Sequence, residues 1–387
     1  MRRLNLRSAI MAINPDVLTE LSTLGQRSRV FLSMPWVPGL TPTILDQPGR
    51  FESFQTDEGL ERRHGIFRVN EAALSTLDHG GLYGDAVFEG VLLQHGRLFV
   101  FKEHLKRWWA SAAKMEMHFP YSLPDLAEWI VRACQEAAFT DDERGYLRPV
   151  LTRGFGNLGI NPSKCIAPTI YVICSTIQLY PPRTYETGIE LSISRRTRRA
   201  GATISDPNVK SNNYLNNING LLETRAQGRL ETLMMTSDGY VAEATADNLF
   251  LIRHEAGWET DPAKVVLETP VADYCLEGIT RNLVMQEARE QGYRVVERRD
   301  LLPLDLVGPA REAFMTGTGC GIMPVVGVAG VPTGDGLPGP CTLALLERVR
   351  ARMRQPAYGL SIHADRAEIE AYLAAPDAVT WPRARSL

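Results

Sequence analysis

The sequence predicts an α+β protein built from two units. Three observations carry this expectation. Short apolar runs bounded by glycine turns are interleaved with stretches whose apolar residues recur at helical spacing. A proline-rich polar break, YPPRTYETG (Tyr180 to Gly188), lies near the middle of the chain. The length of 387 residues suffices for two domains and a substantial core. The expected division is an N-terminal extension over 1–61, a small α+β domain over 62–180, an interdomain loop over 181–188, a larger domain over 189–356 and a tail over 357–387.

Taken in order, residues 1–60 show weak periodicity and several breakers, as in MPWVPGLTP, and read as an extension wrapped over a domain or a partner subunit. From Gly65 the pattern sharpens: GIFRVN and LSTLDHGGLYGDAVFEGVLLQHGRLFVF read as strands broken by glycine turns. KEHLKRWWASAAKMEM is a helix with Leu105, Trp108, Trp109, Ala112 and Met115 near helical spacing, and LPDLAEWIVRACQEAAF is a second, started by Ser122 and Asp125. GYLRPVLTRGFG and APTIYVICSTIQLY complete the first unit as strands. The second unit offers strands IELSISRR, ETLMMTS, YVAEATADNLFLI, RVVERR and EAFMTG. Its helices are NNYLNNINGLLETRAQG, GITRNLVMQEAREQG and CTLALLERVRARM, and RAEIEAYLAA is helical in the tail.

Composition narrows the function classes. Hydrophobic residues make up 44% and charged residues 22%, ordinary for a globular protein in water. A formal net charge of −3 provides no basic excess for nucleic acid or an anionic membrane. No apolar run approaches the roughly 20 residues that span a bilayer. The N-terminal MRRLNLRSAIMAINPDVLTE begins like a secretion signal, but SAIMAI is too short and Asn14, Pro15 and Asp16 interrupt it. Cys134, Cys165, Cys174, Cys275, Cys320 and Cys341 form no CxxC pair, so reduced thiols in the cytoplasm are expected, with neither a disulfide framework nor a metal site.

The chemistry centres on Lys210, in ISDPNVKSNNYLNNINGLLETRAQG. A lysine amine is a poor nucleophile at neutral pH and is activated by desolvation or a cationic neighbour. Taken alone, it would be a solvated charge. Glu243, in GYVAEATADNLF, falls by strand alternation on the same face as Val241. A carboxylate so placed can keep a pyridine nitrogen protonated. LEGITR (Leu276 to Arg281) opens a helix whose free amides and dipole favour a phosphate, with the Thr280 hydroxyl as a further donor. TGTG (Thr316 to Gly319) gives a second tight turn, with Thr318 as donor, and Arg107 can supply positive charge. An amine, a carboxylate and two anion cradles are the parts of a pyridoxal 5′-phosphate (PLP) site.

Together with DHGGLYGDAVFEG, EHLKRWWASA, GYLRPVLTRG and DPNVKSNNYLNN, these motifs resemble the class IV, fold-type IV PLP-dependent aminotransferases, most closely the branched-chain amino acid group. The resemblance runs from about Gly65 to Met353. It implies the fold of D-amino-acid-aminotransferase-like enzymes, with a small N-terminal and a larger C-terminal domain, and at least a homodimer. It implies transamination of a hydrophobic L-amino acid with a 2-oxo acid such as 2-oxoglutarate, through a Lys210 Schiff base. By position, Lys210, Glu243 and Tyr214 are catalytic. Arg107, Lys210, Tyr214, Glu243, Leu276, Gly278, Ile279, Thr280, Gly317 and Thr318 bind the cofactor. Tyr83, Phe88, Tyr146, Arg148, Gly319 and Cys320 form the substrate pocket.

The departures keep other outcomes open. Tyr214 follows Lys210 by four residues, a spacing also found in D-amino-acid and (R)-amine transaminases, whereas some branched-chain enzymes use one more. Position 92 is Leu where some members place arginine. Gly319-Cys320 replaces two alanines whose amides receive the substrate carboxylate. Cys320 reads first as a small buried filler, and second as part of a pocket tuned for a non-standard amino acid. An aminodeoxychorismate-type lyase and a non-catalytic binding protein complete the alternatives.

Overall fold

The computed structural model describes residues 15–225, 227–308 and 311–380. The SAIMAI patch considered for a secretion signal lies outside them.

The first unit is a sheet made of β1 (Arg29–Pro35), β2 (Glu52–Gln55), β3 (Glu61–Arg68), β4 (Ala86–Phe88), β5 (Val91–Gln94), β6 (Arg97–Phe99), β7 (Gly145–Thr152) and β8 (Thr169–Ser175). Its helices are α1 (Pro15–Arg27), α2 (His79–Tyr83), α3 (Phe101–Lys114) and α4 (Leu123–Glu136). The second unit runs through α5 (Thr184–Thr187), β9 (Ile189–Arg198), α6 (Leu215–Arg225), β10 (Glu231–Met235), β11 (Val241–Glu243), β12 (Asn248–His254), β13 (Val265–Pro270), α7 (Ile279–Glu290), β14 (Arg294–Arg298), β15 (Arg311–Gly317), β16 (Gly321–Val328), β17 (Val331–Pro332) and α8 (Pro340–Met353). The chain then returns to the first unit as β18 (Gly359–Ser361) and α9 (Arg366–Ala374).

In the first sheet the order is β18-β6-β5-β7-β8-β1-β3-β2, with β4 paired to β7. The stretch 1–61, expected as an extension, instead places β1 inside this sheet, pairing Phe31 with Val172 of β8 and Ile66 of β3. The tail contributes too, as Leu360 of β18 pairs with Leu98 of β6. HGGLY is a short helix, not part of a strand, because the Asp78 side chain accepts from the Gly80 amide and caps it. α4 is capped by Ser122, which accepts from the Asp125 amide. α3 and α4 bury Leu105, Trp108, Leu126 and Ile130 against Val91, Leu147 and Val172, and the Trp108 indole donates to the Val87 carbonyl at 3.1 Å.

The second sheet has the order β11-β10-β9-β16-β15-β12-β13-β14, with β17 on β16. One face buries Leu283, Met285, Leu345 and Val349 of α7 and α8, and the other buries Leu191, Leu233, Met315 and Cys320. YVAEATADNLFLI is two strands, β11 and β12, broken at Ala244–Asp247, where the Ala244 amide donates to the Asp247 carbonyl at 2.9 Å. All three residues of β11 are buried, so two-fold alternation does not describe Glu243's face. VVLETP and GIMPVVGV, which carry no polar alternation, are the internal strands β13 and β16. Leu92, Phe99 and Val100 of the first unit join the core under α7 and α8, so the two sheets share apolar packing.

Candidate active site

Lys210 follows β9 in sequence but is anchored on the first sheet. Its carbonyl accepts from the Phe88 amide at 2.9 Å, its amide donates to Ser111 Oγ of α3 at 3.3 Å, and Ser211 bridges Val87. The Lys210 Nζ lies 3.2 Å from the Tyr214 hydroxyl and 4.6 Å from the centroid of the Phe88 ring. Tyr214 meets Phe88 edge-on, with centroids 5.3 Å apart.

Across a cavity of about 160 Å³, lined in part by Lys210, Tyr214, Asn248 and Leu276, stands Glu243 at the end of β11. The carboxylate is buried: Arg199 Nε donates to Oε1 at 2.5 Å, and Asn248 Nδ2 makes a longer, weaker contact to Oε2 at 3.4 Å. Burial pushes the Glu243 carboxyl above its ordinary range, and the Arg199 guanidinium opposes that shift.

The two turns expected to meet an anion are the start of α7 and the end of β15. Gly278 caps α7 without a side-chain hydrogen bond, and Ile279 and Thr280 open the helix. Asn248 Oδ1 lies 2.1 Å from where a Cβ on Gly278 would stand, so a side chain there would have to displace Asn248, whose Nδ2 donates to the Leu276 carbonyl at 2.8 Å. Arg107 of α3 reaches the same turn, donating to the Glu277 carbonyl at 3.0 Å. It is fixed from behind by Glu89, at 2.6 and 2.8 Å, and His104 Nδ1 lies 2.8 Å from that carboxylate. Burial works against the Glu89 charge, but Arg107 and His104 outweigh it and hold this carboxyl well below the usual range. Gly317 ends β15 against Asp247 Oδ1, which leaves no room for a Cβ, and Thr318 follows it.

The substrate-side residues divide. Arg148 lies over Phe88 at 4.5 Å and over Tyr146 at 5.6 Å, and its Nη2 donates to the Tyr146 hydroxyl at 3.5 Å. Tyr146 borders Gly319, whose carbonyl accepts from Arg144 at 2.6 Å, and the Cys320 thiol donates to Asp247 Oδ1 at 3.3 Å. Gly319, Arg144, Gln178, Leu179, Tyr185 and Leu346 line a wider cleft of about 1250 Å³. Tyr83 stands apart: its hydroxyl donates to the Leu158 carbonyl and its ring meets His79. Arg199, Asn248, Asp247 and Glu89 escaped sequence reasoning. Arg199 ends the basic run RRTRR, where nothing distinguishes it from its neighbours. Away from the site, His254, Glu312 and Cys341 bring possible ligand atoms within 4.8 Å of one another. Glu312 is already the cap of α8, accepting from the Cys341 and Thr342 amides at 3.1 and 2.7 Å.

This donor set suits a phosphorylated pyridine aldehyde. Amides, a hydroxyl and a guanidinium could meet a phosphate, a buried carboxylate could meet a ring nitrogen, and an amine could meet the aldehyde carbon. The profile of the amino-transferase class IV family matches residues 86–328, and the chain belongs to that family of PLP-dependent enzymes. Among its relatives, a protein of Methanocaldococcus jannaschii is 35% identical over 281 residues, 72% of this chain and 91% of that protein. The branched-chain-amino-acid aminotransferase of Pseudomonas aeruginosa is 33% identical over 282 residues, 72% of this chain and 87% of that enzyme. A solved branched-chain amino acid aminotransferase from T.th., bound to pyridoxamine 5′-phosphate, superposes with a TM-score of 0.67 at 28% identity, covering 80% of this chain and 97% of that one. The chain is thus a branched-chain-aminotransferase-like enzyme that carries out PLP-dependent transamination. Among the described residues no helix is long and apolar enough to cross a membrane.

Proposed function

We propose that the enzyme moves the amino group of a hydrophobic, branched-chain-like L-amino acid to a 2-oxo acid such as 2-oxoglutarate, with Lys210 as the covalent attachment point of the cofactor. The observation that carries this reading is the convergence of the Lys210 amine, the buried Glu243 carboxylate and Leu276, two residues before the cap of α7, on one cavity. Complexes of the T.th. enzyme with N-(5′-phosphopyridoxyl)-L-glutamate and with 4-methylvaleric acid support an acidic and a branched apolar partner here.

PLP, when bound, supplies an electron sink for the substrate α-carbon. Arg107, Ile279, Thr280 and Thr318, with Gly278 and Gly317 leaving space, would hold its phosphate, and Leu276 would pack on the ring. Glu243 would keep the pyridine nitrogen protonated, with Arg199 opposing the upward pull of burial on its carboxyl. Tyr214 would donate to the phenolic oxygen. Lys210 Nζ would act as the base that takes the proton from the substrate α-carbon. Phe88 packs against Nζ, 4.6 Å from its ring centroid. Tyr146, Arg148 and the amides of Gly319 and Cys320 orient the amino acid.

Two half-reactions at one lysine give ping-pong kinetics. The test is the visible absorbance of the PLP-loaded protein, followed on addition of L-leucine, D-alanine and an (R)-amine. Bleaching by L-leucine, and its loss together with turnover in Lys210→Ala, is the expected result. Bleaching only by D-alanine or the amine, or intersecting initial-rate lines, overturns the reading. We also propose a homodimer in the cytoplasm, with the domain junction in the connector Tyr180 to Gly188. Leu82, Tyr83, Leu158 and Ile160 support the dimer: they are exposed, and the Tyr83–Leu158 hydrogen bond holds them together.

A further inference from the structure

We propose that Asp247 is a positioning residue that locks the Gly317–Cys320 turn to the interdomain connector and so sets how tightly the amino acid is held. The inference rests on reading that turn as the substrate-carboxylate site.

Asp247 is buried in the break between β11 and β12. Its Oδ1 takes the Cys320 thiol at 3.3 Å and fills the space over Gly317, 1.9 Å from where a Cβ would be. Its Oδ2 takes the Tyr180 hydroxyl at 3.2 Å. Tyr180 belongs to the connector, and the preceding residue, Leu179, packs on Gly319, its Cδ1 2.4 Å from a would-be Cβ there. One carboxylate therefore contacts both walls of the wider cleft.

The Tyr180 hydroxyl also lies 3.3 Å from Glu231 Oε2. A phenol has one proton and can serve one carboxylate at a time. Glu231 already accepts from the Thr232 amide at 2.8 Å, the Thr245 amide at 3.0 Å and the Thr245 hydroxyl at 2.7 Å. Beyond the phenol, Asp247 has among the described residues only the thiol, a weak donor. The phenol proton thus serves Asp247, the carboxyl with fewer other donors; burial pushes this carboxyl up, and the thiol and phenol hydrogen bonds oppose that shift. Arg144 completes the lock: by holding the Gly319 carbonyl at 2.6 Å it turns the Cys320 N–H, which is trans to that carbonyl, the opposite way. Lys210, Tyr214 and Glu243 make no hydrogen bond to Asp247 among the described residues; Asp247 acts on Lys210 and Glu243 only through space, whereas it touches the turn directly, so its loss is expected in substrate affinity ahead of chemistry.

The test uses the full-length, PLP-loaded enzyme with L-leucine, and cofactor affinity from absorbance titration of the apo-protein. Asp247→Asn is expected to raise KM about tenfold, the loss of one charge-assisted hydrogen bond, with kcat and cofactor affinity changed less than about threefold. Cys320→Ala and Tyr180→Phe raise KM in the same direction, and Cys320→Ser, which restores a donor, returns it to the wild-type value. An unchanged KM in these variants, or a parallel loss of kcat and cofactor affinity with KM intact, overturns the proposal. Should Asp247→Asn fail to fold, the Cys320 and Tyr180 variants decide alone. Gly319→Ala separates the two levels: if it leaves KM unchanged the turn is not the substrate site, and if it raises KM while Asp247→Asn does not, only the role of Asp247 falls.

Discussion

Replacing Arg199 by glutamine isolates the electrostatics of Glu243. Glu243 is only 4% exposed, and its principal counter-charge is the Arg199 guanidinium at 2.5 Å. Removing one partner of such a pair leaves a buried charge uncompensated, at a cost of about 3–5 kcal/mol. Asn248, at 3.4 Å, is too distant to replace it. The folded protein can escape by binding a proton, because burial already raises this carboxyl and the opposing influence is now gone. The sign follows from linkage. A carboxyl whose folded pKa lies above its unfolded value, about 4.3 for Glu, folds best when protonated. Its destabilising effect therefore grows as pH rises through the unfolded value and levels off above the folded one. Melting of apo-protein from pH 5 to pH 8 should show a gap between wild type and Arg199→Gln that widens with pH. A gap of the same size at every pH would refute the reasoning, since Arg199 would then contribute packing and not charge.

Two further outcomes follow from the same geometry. Arg107→Gln leaves Glu89, 1% exposed, with His104 as its remaining side-chain partner, so cofactor affinity should fall by at least about tenfold and urea stability of the apo-protein should fall by roughly 3 kcal/mol; unchanged cofactor binding would remove Arg107 from the phosphate site. Gly90→Ala places a methyl 1.9 Å from the Tyr146 hydroxyl, which a rigid ring can relieve only by swinging away from Arg148; KM for the amino acid should rise several-fold while cofactor absorbance persists, and an unchanged KM would take Tyr146 out of the pocket.

The residues nearest the chemistry were legible because each belongs to a motif with its own physical reason: an amine after a proline turn, a glycine-opened helix, a small-residue turn. The residues that hold them were not. Arg199 reaches Glu243 across 44 positions and Glu89 reaches Arg107 across 18, so nothing local marks either pair. β13 and β16 escape a periodicity argument because strands buried on both faces lose the alternation that identifies a strand. β1 reads as an extension because Pro35 and the breakers after it suggest irregular chain. Its partners, β3 and β8, lie far along the sequence. The β11–β12 break is hidden because ATAD continues the apolar run, and only the turn at Asp247 reveals it.

The return of the chain to its first sheet has a consequence for synthesis. Strand β6 leaves the ribosome early, but Gly359, which accepts from Arg97 beside it, emerges 262 residues later. At roughly 5–20 residues per second that is a wait of about 10–50 s. Throughout it, the β6 edge of the growing first sheet offers unpaired amides and carbonyls to any other strand. Closure arrives only then, when β18 covers the edge and Lys102 takes hold of the Ala375 and Pro376 carbonyls at 2.7 Å each. Chains released before β18 would keep that edge open and be the ones to aggregate or to engage chaperones.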